Sequence, residues 1–421
     1  MLEKVTDFLD KRLSEPMGRL AAQRHLHAIR DGIIATLPLI IVGSMFLIIA
    51  NPPLPADWGI SIFLKANAAK ILLPYRMTMY IMTIYATWGI GYSLARSYDL
   101  DGVTGGILAA IAFMLTIVPQ TVEGLGFVIP MANLGGGGMF VGIVVSIIAV
   151  EILRFTTKKG FRIKMPDEVP PAVARSFEAL TPTALLILII GSLSYFFDFN
   201  WHTVIKTIMT PLVSATDSLP SVIILVFLTT FFWSFGIHGM SIVGSLARPI
   251  WLQILDGNTQ AAAAGTALPG IGAEPFYQWF IWIGGSGCTI GLAILLAVIT
   301  KSKYARTLGR SALAPSIFNI NEPLVYGAPI VLNPVLIIPF VVTPIVCGII
   351  AWFATSAGLV NAVTVIAPWT LPGPIGAFLS TGGDWRAIVL SLALIVLSVI
   401  IYYPFVKMYD KKLLLEEKKE V

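Results

Sequence analysis

Charged side chains are scarce in this chain. Of its 421 residues, 12% are Asp, Glu, Lys or Arg, against roughly 25% in a soluble globular protein. With 56% hydrophobic residues and a mean hydropathy of +0.84, that scarcity excludes a soluble globular fold. Cysteine is almost absent as well. Cys288 and Cys347 lie inside apolar stretches and share no CxxC or metal-ligand spacing. A disulfide framework and a thiolate metal site are excluded, and both residues read as packing groups. There is no HExxH, no dinucleotide-binding glycine fingerprint, no nucleophile elbow and no Gly-Lys-Ser/Thr phosphate loop. ATP hydrolysis within this chain is therefore excluded, and no metal or cofactor is called for.

What is present is a series of apolar windows, each long enough for ~30 Å of hydrocarbon. They run Gly32–Ala50, Met77–Ala95, Gly102–Val118, Phe140–Phe155, Leu180–Phe197, Val222–Gly236, Tyr277–Thr300, Pro334–Phe353 and Ile388–Phe405. The pattern predicts an all-α polytopic membrane protein. Trp and Tyr near several window ends suit interfacial anchoring. The first thirty residues are charged and amphipathic, unlike a cleavable signal peptide. The net charge of +5 reflects loop bias rather than nucleic-acid binding. Basic residues cluster at Lys4–Arg30, Arg154–Arg175, Lys301–Arg310 and Lys407–Lys419. The positive-inside rule places all four clusters, and both termini, in the cytoplasm.

That placement exposes a parity problem. Only three clear windows separate the second cluster from the third, and three crossings cannot return to the same side. Residues 237–276 must then hold a further crossing or a re-entrant element. His238, Arg248, Asp256, Pro269 and Glu274 punctuate this segment, as expected of broken helices lining a cavity. Leu313–Asn333 is interrupted in the same way. Residues 1–178 form a first half, ending in a basic, proline-containing linker, and residues 179–421 a second half. Trp201–Ser218 reads as an interfacial amphipathic helix. Gly135–Gly138 reads as a flexible turn ahead of the next window.

Between Arg310 and Asp384 only one side chain is charged, Glu322, in Asn319-Ile-Asn321-Glu322-Pro323. An isolated carboxylate at bilayer depth costs on the order of 2.5–3.5 kcal/mol by insertion scales, which points to a function. Asn321 beside it makes an acceptor and an acceptor-donor pair suited to sugar hydroxyls. His238 lies between Gly236 and Gly239, where a ligand could approach the backbone closely. Glu274 also precedes proline, and its competing reading is an exposed turn residue. Trp233 and Trp369 offer faces for a pyranose ring, with interfacial anchoring the alternative for Trp369. In the first half, Arg76 and Asn133 are the candidates for substrate contact.

Trp-Ser-Phe-Gly-Ile-His-Gly at 233–239 and Phe-Asn-Ile-Asn-Glu-Pro-Leu-Val-Tyr-Gly at 318–327 resemble signature segments of enzyme IIC of the sugar phosphotransferase systems. The lactose/cellobiose/diacetylchitobiose branch is the nearest in pattern. The likeness extends over essentially the whole chain, including the opening Phe-Leu-Asp-Lys-Arg-Leu-Ser-Glu-Pro-Met-Gly-Arg-Leu. The resemblance implies about ten transmembrane helices, two re-entrant hairpins and a homodimer formed by the amino-terminal half. The sugar is then held by the carboxy-terminal half, with His238 and Glu322 beside the hydroxyl that becomes phosphorylated. It implies a separate IIB protein, charged by IIA, that carries phosphocysteine, since Cys288 and Cys347 lack a soluble-loop context. Burial would raise the Glu322 pKa toward neutrality and make it the general base. The rival reading is a proton- or sodium-coupled secondary sugar transporter in which Glu322 and Glu274 carry the ion.

Overall fold

The computed structural model describes residues 23–50, 52, 57–161, 163, 165–166, 169–236, 238–328, 330 and 333–417. The opening Phe-Leu-Asp-Lys-Arg string and the amphipathic amino-terminal segment lie outside them. The described chain is mainly helical, and its only strands are one short hairpin, β1 (Gln120–Val122) with β2 (Gly126–Val128). Among the described residues, five helices are long and apolar enough to cross a membrane, or six if one bent pair is a single span.

The chain divides into two compact units. Among the described residues, one holds 23–43 with Leu73–Val213, and the other holds 44–72 with the residues from Ser214 onward. The two halves expected from the sequence are 1–178 and 179–421, with the linker at Thr156–Arg175.

The first unit contains most of α1 (Arg24–Ala50), then α2 (Met82–Ser97), α3 (Gly102–Met114), α4 (Met139–Lys158), α5 (Val173–Tyr195) and α6 (Trp201–Thr216). Small residues let α2 and α3 approach closely: a Cβ on Gly91 would lie 2.4 Å from the Gly105 carbonyl oxygen. Gly135–Gly138 is a packed 3₁₀ turn rather than the flexible one expected. Gly136 and Gly138 are buried, and the Thr83 hydroxyl donates to the Gly135 carbonyl at 2.6 Å.

Asp101 caps α3, accepting from the Thr104 backbone N–H at 2.8 Å and the Thr104 hydroxyl at 2.7 Å. Donation from that N–H, against the opposing effect of burial, holds the Asp101 carboxyl below the ordinary carboxylate range. A depressed folded-state pKa stabilises above the unfolded value of about 3.9, and the contribution is lost as pH falls through the folded value. Asp101→Ala is accordingly expected to cost about 1 kcal/mol near neutrality. Thermal melts across pH should show the difference from the parent shrinking in acid; a pH-independent difference would contradict this.

The second unit runs through α7 (Leu219–Ser234), α8 (Gly239–Ala264), α9 (Glu274–Phe280), α10 (Ile290–Val298), α11 (Lys303–Ile317), α12 (Glu322–Gly327), α13 (Pro334–Ser356), α14 (Gly373–Ser380) and α15 (Trp385–Glu417). The stretch read as an interfacial amphipathic helix is helical over Trp201–Thr216. Two expectations need correction. Residues 239–264 form one continuous helix despite Arg248, Pro249 and Asp256, closed by Gly265 at φ +68°. Conversely, Tyr277–Thr300 is not one span. It breaks at Gly284–Thr289, where Gly284, Gly285, Gly287 and Cys288 all have positive φ. Cys288 and Cys347 are buried free thiols with sulfurs 4.0 Å apart.

Side chains from regular helices hold the irregular segments of this unit. Asn258, wholly buried on α8, accepts from the Gly270 N–H at 2.9 Å and donates to the Gly270 and Val363 carbonyls. Thr259 donates to the Thr364 carbonyl at 2.7 Å. The Asp217 carboxylate accepts from the Ile271 and Gly272 N–H groups. These bonds satisfy backbone groups that neither helix nor water would satisfy in hydrocarbon.

Candidate functional site

Glu322 opens α12, a short helix whose direction is set by Pro323 in its first turn. Leu324 and Val325 are buried in a core with Trp233, Leu296, Phe340 and Tyr402. Helical spacing then turns Glu322 and Tyr326 to the opposite, open side, and both are exposed. The expectation of a buried Glu322 is thereby corrected.

His238 is also exposed and caps α8. Its Nδ1 accepts from the Ser241 backbone N–H at 3.3 Å, with the Ser241 hydroxyl at 3.2 Å. A backbone N–H is only a donor, so Nδ1 must present its lone pair. Neutral His238 then carries its proton on Nε2. Glu322 lies within electrostatic reach of the imidazole. The structure thus places in one neighbourhood the two residues singled out as catalytic candidates, 84 positions apart in sequence.

Trp233 is only 2% exposed, so its face is not offered to a ligand as expected. It packs against His238 with ring centroids 4.5 Å apart, and against Tyr326 at 6.3 Å. The indole therefore acts as a wall that joins the histidine to the glutamate's helix. A Cβ on Gly239 would lie 1.9 Å from the Thr229 carbonyl oxygen, so the turn carrying His238 requires glycine there.

Asn321 is buried, and its amide donates to the Ser286 carbonyl at 2.7 Å. It braces the Gly284–Thr289 turn instead of presenting its NH₂ to solvent. Glu274 is likewise engaged: Arg248 donates from Nε at 3.0 Å to one carboxylate oxygen and from its terminal nitrogen at 2.7 Å to the other. Both side chains are largely buried, at 13% and 19% exposure. This ion pair joins α8 to the start of α9. Trp369 stands half-exposed in the segment before α14. Arg76 and Asn133 belong to the other compact unit.

Several supporting residues were not singled out by sequence reasoning. Tyr326 could have been found by its helical spacing from Glu322. Asn258 had no local signal, because its partners Gly270 and Val363 are 12 and 105 positions away, whereas Arg248 and Asn319 were visible only as polar interruptions of apolar sequence. Among the described residues, no cluster of His, Cys, Asp or Glu is fit to hold a metal ion.

A family model described as "Phosphotransferase system, EIIC" matches residues 30–344, which include both His238 and Glu322. The chain is 37% identical to the lichenan permease IIC component of Bacillus subtilis (strain 168), over 99% of this chain and 96% of that relative. It is 36% identical to the cellobiose-specific EIIC component of Geobacillus stearothermophilus, over 100% and 97%. The fold matches the crystal structure of the transporter ChbC, the IIC component from the N,N'-diacetylchitobiose-specific phosphotransferase system. The TM-score is 0.91 at 37% identity, covering 98% of this chain and 99% of that one. Apolar helices, braced broken segments and these matches lead to one assignment: the chain belongs to the EIIC family, the membrane-embedded sugar permeases of the phosphotransferase system.

Proposed function

We propose that this permease imports a β-linked disaccharide, N,N'-diacetylchitobiose foremost, and releases it as a sugar phosphate. The observation that carries the reading is that His238, whose Nδ1 is already occupied, lies within electrostatic reach of Glu322. In this proposal the sugar stacks on Trp369, and its C6 hydroxyl lies between Glu322 and His238. The hydroxyl oxygen attacks the phosphorus of a phosphocysteine on a separate IIB protein. The O–P bond forms, the S–P bond breaks, the cysteine leaves as thiolate, and the hydroxyl proton passes to Glu322.

His238 is the donor in this scheme. Its Nε2–H steadies the attacking hydroxyl or a phosphoryl oxygen, because Nδ1 already accepts from Ser241. Phosphoryl transfer depends chiefly on such positioning and charge stabilisation. Both cysteines of this chain are fully buried in apolar surroundings, which supports a phosphoryl carrier on another protein, charged in turn by IIA. The same proposal has cytoplasmic termini, from the basic clusters, and a homodimer formed through the amino-terminal half. Arg76 and Asn133 remain proposed substrate contacts.

A titration-calorimetry screen of purified protein tests the substrate. Diacetylchitobiose and cellobiose are expected to bind and α-linked maltose is not. Equal binding of maltose would overturn the β-linked assignment.

A further inference from the structure

Asn319 is a buried amide whose three strong contacts join three separate segments. Its Oδ1 accepts from the Gly284 N–H at 2.9 Å. Its Nδ2 donates to the carbonyls of Trp369 at 2.7 Å and Leu371 at 2.9 Å. Its backbone is left-handed, with φ +62°, a conformation that asparagine tolerates better than most residues. Three positions later the chain reaches Glu322. One carboxamide thus ties the backbone under the exposed Trp369 ring to the loop that delivers the carboxylate, and anchors both to the glycine-rich turn. That turn is itself fixed from α15: the Tyr402 hydroxyl donates to the Gly287 carbonyl at 2.9 Å, and the Ser398 hydroxyl to the Cys288 carbonyl at 2.6 Å.

We infer that Asn319 is a positioning residue that holds the sugar platform and the proton acceptor in register. It reaches the substrate through Trp369 and the reaction through Glu322, and touches neither the sugar nor the phosphoryl group. The inference rests on the proposed roles of Trp369 and Glu322 and adds the element that couples them. Small displacements of such groups are costly, because rate depends steeply on the alignment of reacting atoms.

Two variants separate positioning from folding. Asn319→Asp keeps the acceptor for Gly284 and the tolerance for positive φ, but sets a carboxylate oxygen against two carbonyls. Asn319→Gly keeps the backbone and removes all three bonds without adding charge. Both are assayed for sugar phosphorylation in membranes supplied with IIA and phosphorylated IIB. Each is expected to raise KM about tenfold and to lower kcat, on the scale of losing buried hydrogen bonds. In a Trp369→Ala background the KM penalty should vanish while the kcat penalty persists. A purely structural role would instead reduce the amount of folded protein at unchanged KM. Parent-like KM and kcat in both variants would overturn the inference, as would a KM penalty undiminished without Trp369. Glu322→Gln is the control: if it turns over like the parent, the proposed function fails; if it is inactive while the Asn319 variants are silent, only this inference fails.

Discussion

Glu322→Gln is expected to abolish phosphorylation while leaving sugar binding within a few-fold of the parent. Glutamine preserves the shape of the side chain and still bonds a hydroxyl, but it cannot accept the proton. Loss of general-base assistance lowers turnover by roughly 10²–10⁴-fold. His238→Gln should be milder, because a side-chain amide restores an N–H donor, which is the part His238 plays in the transfer step. The order of the two defects is the informative result. It is read from kcat with saturating phosphorylated IIB and from sugar affinity by calorimetry. A Glu322→Gln protein with undiminished turnover would remove Glu322 from the chemistry. A His238→Gln defect larger than that of Glu322→Gln would reverse the two roles.

Arg248→Ala is expected to produce the largest loss of stability. The Arg248–Glu274 pair joins two helices through a forked, largely buried contact. Removing one partner leaves a carboxylate with little access to water, a change worth about 3–5 kcal/mol. Replacing both residues with neutral side chains of similar size, as Arg248→Met with Glu274→Gln, should recover most of that loss. Thermal unfolding in detergent measures both. The double variant also decides the part played by Glu274. Sugar binding that survives at restored stability makes the pair a brace, as its geometry indicates. Binding lost at full stability would make Glu274 a sugar contact. A single variant that melts like the parent would contradict the account of the ion pair.

The membrane class and most crossings were legible because hydrocarbon imposes an apolar run on every exposed span. Glu322 was legible for the converse reason: no other charge lies between Arg310 and Asp384. The internal form of the second unit was not. Arg248 and Asp256 look like interruptions in a linear reading, yet α8 continues through them. Arg248 meets its partner 26 positions later, at Glu274, and Asp256 bonds Gln260 one turn on. Apolarity hid the opposite error at Tyr277–Thr300. Hydropathy does not register backbone conformation, and the Gly-Gly-Ser-Gly-Cys run at 284–288 was the only local sign of a break. Trp233 and Asn321 were expected to face a ligand, yet both are buried against neighbouring segments. Whether an aromatic face or an amide meets a ligand or a neighbouring segment depends on burial, and burial here comes from residues far along the chain.

The central claim is that transport and phosphorylation are one event. Inverted or right-side-out vesicles containing the protein, with IIA, IIB and a phosphoryl donor on the cytoplasmic face, can be offered radiolabelled disaccharide with an uncoupler present. The expected result is accumulation of the sugar phosphate in one-to-one proportion to phosphoryl groups consumed, unchanged by the uncoupler and absent without IIB. Accumulation of unmodified sugar that persists without IIB and collapses with the uncoupler would contradict the account and establish ion-coupled transport.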